Sequence, residues 1–117
     1  GRVTNSSGAG VNGATVYLLG NSLTALTTGG GYYTISNVIP GTYSLSANQS
    51  NYINQTKGGQ VVNSGSTTNV DFAITQISAI NGYARNDASA PVAGAAITLT
   101  QGGSTIASTA SASNGFY

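Results

Sequence analysis

Cysteine, histidine, methionine and tryptophan are all absent from this chain of 117 residues, and only 4% of its residues are charged. Glutamate is missing too, because both acidic residues are aspartates, Asp71 and Asp87. A chain without cysteine or histidine has no disulfide, no thiolate nucleophile, no imidazole base and no zinc-binding cage. These absences argue against an enzyme, and we expect no catalytic residues, no cofactor and no metal site.

Charge and apolar run length argue against two further classes of partner. The net charge is +1, and the three cations, Arg2, Lys57 and Arg85, are dispersed along the chain. Nucleic acid binding requires several cations that neutralise phosphates together, so we expect no nucleic acid partner. The longest apolar run has four residues, at positions 16–19, whereas a membrane helix needs about 20. We therefore predict no membrane span.

The residues that are present favour strands and turns. Seven tyrosines and two phenylalanines belong to a hydrophobic fraction of 39%, and serine, threonine and asparagine dominate the polar remainder. Threonine, valine, isoleucine and tyrosine suit a half-buried pleated surface, while glycine and asparagine suit tight turns, so we predict an all-β fold. A surface that is polar through hydroxyls and amides is unusual for the cytosol. The lack of cysteine fits either a bacterial or archaeal exterior or a β-sandwich whose core needs no disulfide. We expect a secreted protein that is extracellular or attached to a cell surface.

The sequence aligns with itself at an offset of 81 residues, with glycines, aliphatic residues and aromatics matching in one order. We predict two copies of one module, at residues 1–75 and 76–117. The first copy lacks part of its first strand, and the second holds only the N-terminal half of the module. We expect a piece of a longer repeating polypeptide, or a subunit that a neighbour completes. The matches are Gly1 with Gly82, Val11 with Val92, Gly13 with Gly94, Ala14 with Ala95, Val16 with Ile97, Leu18 with Leu99 and, after three inserted residues, Gly31-Tyr32-Tyr33 with Gly115-Phe116-Tyr117.

Alternating apolar residues between turn residues predict short antiparallel strands and no helix. Pro40 and Gly41 suit the central positions of a type II turn, because glycine accepts the positive φ of the second position. The predicted strands cover residues 14–19, 23–28, 32–38, 42–48, 60–62 and 68–74. The predicted core consists of Val16, Leu18, Ile35, Tyr43, Leu45, Val70, Phe72 and Ile74.

Several stretches of the first copy together resemble a known family of modules. They are GRVT at residues 1–4, GAGVNGATVYL at 8–18, TT at 27–28 with GYYTI at 31–35, VIPGTYSL at 38–45 and VDFAI at 70–74. With these stretches the chain resembles the carboxypeptidase-regulatory-like family of transthyretin-type β-sandwich modules. The resemblance implies an antiparallel Ig-like or transthyretin-like sandwich, used as an accessory module in secreted and surface proteins and often found in tandem. It brings no catalytic residues to this chain.

Three asparagines carry the N-glycosylation acceptor pattern Asn-X-Ser/Thr, namely Asn5, Asn48 and Asn54. All three fall in predicted loops or at strand ends, where a glycan would be accessible. A chain rich in asparagine, serine and threonine also forms such triplets by chance. We therefore treat the three as candidate glycosylation sites of a glycoprotein and keep the alternative that they are unmodified.

Two other features have both a functional and a simpler interpretation. Lys57 is interpreted as a solvated charge on a strand edge, where it discourages unwanted pairing, rather than as a catalytic lysine. We expect Tyr43 and one of the pair Tyr32 and Tyr33 to pack inward. The other tyrosines are candidates for a platform on which sugar rings stack.

Three functions fit the composition, the repeat and the resemblance. The first is a structural repeat subunit of an extracellular filament, stalk or surface layer, assembled head to tail by β-strand pairing with copies of itself. The second is a carbohydrate- or surface-binding accessory module of a secreted enzyme or adhesin, with glycans as partners. The third is a peptidase-associated regulatory module, which rests on the resemblance alone. Low charge and the internal repeat favour the first.

Overall fold

The structure is a computed structural model that describes residues 1–117, and it consists of strands and loops, which confirms the predicted all-β class. No helix in it is long and apolar enough to cross a membrane. The chain separates into two compact units, Gly1–Ser78 and Ala79–Tyr117. The strands are β1 (Val3–Asn5), β2 (Thr15–Leu18), β3 (Thr24–Leu26), β4 (Gly41–Asn48), β5 (Tyr52–Ile53), β6 (Gln55–Val62), β7 (Phe72–Gln76), β8 (Ala96–Gln101) and β9 (Ser104–Ala110).

The larger sheet of the first unit has the strand order β3-β2-β4-β6 and is antiparallel throughout. Within β2, Val16 and Leu18 are buried and Tyr17 between them is exposed. Opposite them on β4 lie Ala47 and Leu45, which are also buried. The apolar faces of the two central strands therefore coincide, and burial of this shared face stabilises the sheet.

The second sheet of the first unit joins β1, β7 and β5, and one of its pairs contradicts the predicted antiparallel arrangement. β1 and β7 run parallel, with Val3 opposite Phe72 and Asn5 opposite Ile74, while β5 and β7 are antiparallel. Alternation of apolar residues indicates which face of a strand is buried, and it is the same for both strand directions. The sequence pattern therefore contains no information on the direction of this pair.

Both sheets contribute to one core. Of the predicted core residues, Ile35 and Tyr43 are only partly buried and pack against the buried cluster, whereas the other six belong to it. The cluster also includes five side chains that the core prediction did not name. They lie on β1, on β4 and in loops. Its members are Val3, Val11, Ala14, Val16, Leu18, Tyr33, Leu45, Ala47, Val70, Phe72 and Ile74.

The predicted strand at residues 32–38 is wrong. Tyr32 makes isolated bridges only, and the backbone that follows is irregular. Asn37 has a φ of 58°, a left-handed conformation that interrupts extended backbone. The type II turn at residues 40–41 is also wrong, because Gly41 is not among the glycines with positive φ and instead begins β4.

Strand boundaries differ from the prediction at β5, β6 and β7. β6 extends over eight residues instead of three, because pairing with β4 overrides the low strand propensity of Gly58 and Gly59. β7 begins at Phe72 rather than at residue 68, although Val70 before it is buried. The two residues of β5 show no alternation long enough to be detected in the sequence.

A buried hydroxyl connects the loop before β2 to the end of the hairpin. The Thr27 hydroxyl accepts a hydrogen bond from the Ala14 N–H at 2.9 Å and donates one to the Val11 carbonyl at 2.7 Å. Thr27 is 1% exposed, so both backbone groups would lack a partner without it. Leaving such buried groups unpaired costs about 1–3 kcal/mol each.

The second unit contains the antiparallel pair β8–β9 and repeats this arrangement with a serine. The Ser111 hydroxyl accepts from the Ala95 N–H at 2.9 Å and donates to the Val92 carbonyl at 2.6 Å. Backbone hydrogen bonds also recur at aligned residues. Val3 donates to Gly31 and Val11 to Val3, as Ala84 donates to Gly115 and Val92 to Ala84. Tyr33 donates to Gly1 and Asn5 to Ala9, as Tyr117 donates to Gly82 and Asn86 to Ala90.

Two glycines lie where chain segments cross too closely for a side chain. A Cβ atom on Gly31 would collide with the carbonyl oxygen of Val3, and Gly31 has a φ of +88°. A Cβ atom on Gly115 would lie 2.5 Å from the carbonyl oxygen of Ala84, and Gly115 has a φ of +78°. Both positions therefore require glycine on steric and on conformational grounds.

Burial differs between the two units. Among residues 79–117 only Ser111 and Gly115 are buried. Leu99 on β8 is 42% exposed, whereas Leu18, which aligns with it in β2, is 2% exposed. The difference follows from the layers, because Leu18 packs into the core that both sheets of the first unit form, whereas β8 and β9 form a separate two-stranded sheet.

Replacing Phe72 by alanine should destabilise the first unit by roughly 3–5 kcal/mol, because the ring is 1% exposed and its removal leaves a cavity between the sheets. Denaturant unfolding of the whole chain measures the change. Ile39→Ala is the matched control, since Ile39 is 75% exposed and should cost about 0.5 kcal/mol or less. A loss below about 1 kcal/mol for Phe72→Ala would contradict the packing described.

Tyr33 links the segment after Gly31 to the residues before β7. Its hydroxyl donates to the Val70 carbonyl at 2.5 Å, and the centroids of its ring and the Phe72 ring lie 6.5 Å apart. Burial, together with the smaller effect of the negative charge of Asp71, raises the pKa of Tyr33 to about 12. The folded protein therefore favours the neutral phenol.

Stability should fall as the pH rises from about 10 to about 12, because the unfolded chain ionises Tyr33 at pH 10.0 and the folded protein keeps the proton until about pH 12. This contribution of about 2–3 kcal/mol is fully present below pH 10. Denaturant unfolding at a series of pH values measures it. Tyr33→Phe should remove this part of the pH dependence, and an equally steep fall in the variant would refute the assignment.

Candidate functional site

A cleft of about 600 Å³ opens in the first unit, between the irregular segments at residues 33–38 and 62–70. Leu18 and Leu45 line it from the larger sheet, and Tyr33 and Val70 line it from the side of the other sheet. Serine, threonine and asparagine residues of the two segments form much of the remaining wall. None of the five charged side chains of the protein lines the cleft.

The chemistry of this cleft suits an uncharged ligand. It combines an apolar floor with hydroxyl and amide groups, which is typical of sites that orient a neutral molecule by hydrogen bonds. Its one titratable side chain is that of Tyr33, whose hydroxyl already donates to the Val70 carbonyl. The wall at residues 63–69 was outside the predicted sites, although its unbroken run of polar residues and glycine indicates a loop.

A smaller hollow of about 290 Å³ is lined by Gly1, Arg2, Tyr32, Asn69 and Asp71. Two donors of Arg2 are engaged within the protein, since its backbone N–H donates to the Asp71 carboxylate at 2.7 Å and its Nε donates to the Gly30 carbonyl at 2.9 Å. The Arg2 guanidinium also lies 5.2 Å from the centroid of the Tyr32 ring. These contacts give Arg2, Tyr32 and Asp71 a structural role in the first unit.

Asn5, the first glycosylation candidate, organises its own loop. Its side-chain oxygen accepts hydrogen bonds from the Ser7 N–H at 3.0 Å, the Ser7 hydroxyl at 2.7 Å and the Ala9 N–H at 2.9 Å. Asn86 accepts from Ala88 and Ala90 in the same way, although it has no acceptor pattern for a glycan. A loop-forming role therefore accounts for asparagine at both positions.

The other two glycosylation candidates differ in accessibility. Asn48 ends β4, is partly buried and accepts a hydrogen bond from the Ser46 hydroxyl at 2.9 Å. Asn54 is exposed in the single-residue link between β5 and β6. Its side chain takes part in no hydrogen bond within the protein. Asn54 is therefore the most accessible of the three acceptors.

The tyrosines divide between structural and exposed positions. Tyr33 is buried, as predicted for one member of its pair, and Tyr43 is partly buried with its hydroxyl donating to the Ile39 carbonyl at 2.7 Å. Tyr17 and Tyr32 are exposed, but the two rings of this unit that form an aromatic pair are those of Tyr33 and Phe72. Tyr17 and Tyr32 therefore stay candidates for stacking against sugar rings.

Lys57 lies on β6, at the edge of the larger sheet, and is exposed as predicted. Its Nζ lies 5.9 Å from the centroid of the Phe72 ring, within the range of a cation–π contact. No group of three or more histidine, cysteine, aspartate or glutamate side chains that could hold a metal ion occurs in the protein.

Two comparisons with known proteins concern the family of this chain. None of the curated proteins with which the chain was compared matches it. The family model for the carboxypeptidase regulatory-like domain matches residues 1–75. The match covers the whole core of the first unit, including the parallel β1–β7 pair. It extends over more than half of the 117 residues, and the chain therefore belongs to the carboxypeptidase regulatory-like domain family.

Proposed function

We propose that this protein is a structural, non-enzymatic subunit of an extracellular filament, stalk or surface layer, in which subunits join head to tail by β-strand pairing. One contrast carries the proposal. β2 has a hydrogen-bonded strand on each side, whereas the matching strand β8 pairs with β9 alone. An open strand edge beside an exposed apolar face favours association with another strand.

The proposal includes a second copy of the module, of which residues 76–117 are the N-terminal half. Support comes from the sequence offset and from the recurrence of the same hydrogen bonds around Thr27 and around Ser111. The second unit has counterparts of β2 and β3 in β8 and β9. It has no counterparts of β4, β6 or β7, the strands that cover the core of the first unit.

A contact of this kind builds a fibre rather than a closed ring. In a head-to-tail contact the strand and the edge that it fills lie on different surfaces of the subunit, so the contact is heterologous and repeats without closing. The low charge of the chain supports close packing, because adjoining subunits repel each other little. An extracellular location agrees with a surface made polar by hydroxyls and amides rather than by charges.

The uncharged cleft of the first unit favours a second function, that of a carbohydrate-binding accessory module. Its hydroxyl and amide groups, above an apolar floor, are the groups that bind neutral sugars. Titration with neutral oligosaccharides tests this alternative. Chemical-shift changes confined to residues 33–38 and 62–70 would favour it over the structural function.

As part of the proposal, Asn54 carries a glycan in the native protein, because it is the acceptor whose side chain is exposed and free of hydrogen bonds. Peptide mass spectrometry of native material should find Asn54 occupied to a greater extent than Asn5 and Asn48. In the native host, Asn54→Gln should lower the intact mass by one glycan, whereas Asn51→Gln, which removes an asparagine without the acceptor pattern, should not. Unmodified Asn54 in native material would refute the assignment.

Negative-stain electron microscopy of native material tests the main function, for which we expect fibres, stalks or a regular layer. Hydrogen exchange on the recombinant chain of 117 residues gives a second measure. In the monomer, amides of residues 82–117 should exchange faster than those of the first unit, because their unit lacks covering strands. Strong protection throughout residues 82–117 in a proven monomer would contradict the proposed assembly.

A further inference from the structure

We infer that Asn81 is a site of spontaneous deamidation, and that the fold holds the two other asparagine–glycine dipeptides of the chain closed to the same reaction. Asparagine is one of the thermolabile residues of proteins, and a following glycine has no side chain to hinder attack. The inference goes beyond the proposed function and does not depend on it, because it concerns bonds within one chain. The three dipeptides are Asn12-Gly13, Asn81-Gly82 and Asn114-Gly115.

The reaction begins when the backbone nitrogen of the glycine attacks the side-chain carbonyl carbon, Cγ, of the asparagine. The glycine nitrogen loses its proton to hydroxide, a bond forms between this nitrogen and Cγ, and the Cγ–Nδ2 bond breaks. Ammonia then leaves with a proton taken from water. Water finally opens the cyclic imide at either of its carbonyls, which gives aspartate or its β-linked isomer, isoaspartate. Water and hydroxide are therefore the only co-reactants.

The first step that the fold controls is loss of the glycine N–H proton. Amide hydrogen exchange has the same requirement, and a hydrogen-bonded N–H exchanges only after its bond has opened. All three glycines donate such a bond to a backbone carbonyl, so the folded chain slows all three sites. The pairs are Gly13 with Thr27 at 2.8 Å, Gly82 with Tyr117 at 3.0 Å and Gly115 with Ala112 at 2.8 Å.

The second step that the fold controls is movement of the asparagine side chain, which must bring Cγ to the glycine nitrogen. The Asn12 side-chain oxygen accepts hydrogen bonds from the Gly30 N–H at 3.0 Å and the Gly31 N–H at 2.9 Å. The Asn114 side-chain oxygen accepts one from the Phe116 N–H at 3.0 Å. These bonds restrict both side chains, which therefore reach the geometry of attack less often.

Asn81 lacks this second restraint. All three asparagines are exposed, so exposure does not distinguish them. The side chain of Asn81 takes part in no hydrogen bond within the protein, and the bond from Gly82 to Tyr117 is the one restraint on its dipeptide. Gly115, by contrast, is buried, which limits the access of hydroxide to its nitrogen. Asn81 is therefore the first of the three to react.

Reaction at Asn81 changes both the charge and the main chain. The new carboxylate adds one negative charge, which lowers the net charge of the chain from +1 to 0. Isoaspartate also places an extra carbon in the main chain directly before Gly82. Gly82 and Tyr117 exchange two backbone hydrogen bonds of 3.0 Å, and a Cβ atom on Gly82 would lie 2.7 Å from the Tyr117 hydroxyl. The isoaspartate product therefore loosens this close pairing.

Peptide mass spectrometry of the recombinant, unglycosylated chain, incubated at mildly alkaline pH, measures the three rates. In the folded chain Asn81 should deamidate at least about tenfold faster than Asn12 and Asn114. In concentrated urea the three rates should converge, because the hydrogen bonds that distinguish the sites are lost. Equal rates in the folded chain, or a slower reaction at Asn81 than at either other site, would overturn the inference.

Two matched variants test the effect of the glycine N–H bond alone. Ser7 and Ser64 are exposed and precede glycines with positive φ, 82° at Gly8 and 69° at Gly65. The Gly8 N–H donates to the Asn5 carbonyl at 3.0 Å, whereas the Gly65 N–H donates to no group of the protein. Ser64→Asn should therefore create a site that reacts at least about tenfold faster than the site created by Ser7→Asn. Equal rates at the two new sites would contradict the protection assigned to this bond.

The change in the main chain has its own control. Asn81→Asp carries the added charge without the extra carbon of isoaspartate. Amide exchange measured by NMR at Gly82 and Tyr117 should be at least about tenfold faster in the purified isoaspartate product than in Asn81→Asp. Equal exchange in the two proteins would refute the loosening of this pairing.

Discussion

The pairing of β7 beside β1 is the constraint on which the first unit depends. Phe72 and Ile74 of β7 lie opposite Val3 and Asn5 of β1, and both side chains are 1% exposed. Because the two strands lie near opposite ends of the unit's sequence, their pairing closes a loop that contains every other strand of the unit. This long-range parallel contact makes the unit cooperative, since loss of β7 would uncover β1 and the apolar face of β2 together.

Hydroxyl and amide side chains take over tasks that charged groups perform in many proteins. Thr27 and Ser111 each satisfy two backbone groups, and the Asn12 side-chain oxygen accepts from the N–H groups of Gly30 and Gly31. Such bonds are short-ranged and independent of protonation near neutral pH. A chain with five charged side chains can therefore order long loops without ion pairs.

The features predictable from the sequence are those that depend on alternation alone. The faces of β2 and β4 and the burial of Phe72 and Ile74 follow from the period of two and from the polar residues between them. The parallel direction of β1 and β7 does not follow from this period, because side chains alternate in the same way in parallel and antiparallel strands. The irregular backbone at Asn37 and the cleft beside it depend on tertiary packing of two loops. The exposed position of Asn54 likewise depends on the single-residue link between β5 and β6, and the sequence pattern does not show where these two strands end and begin.

The close crossings at Gly31 and Gly115 restrict which residues each unit can accept at these positions. Nearly all substitutions that arise from a single base change in a glycine codon introduce a Cβ atom, and at both positions that atom would meet a carbonyl oxygen of the crossing segment. Elsewhere the aligned residues differ, for example Thr27 from Ser111 and Val3 from Ala84. Substitutions elsewhere can thus alter the core and the surface of each unit, while these two positions tolerate glycine alone.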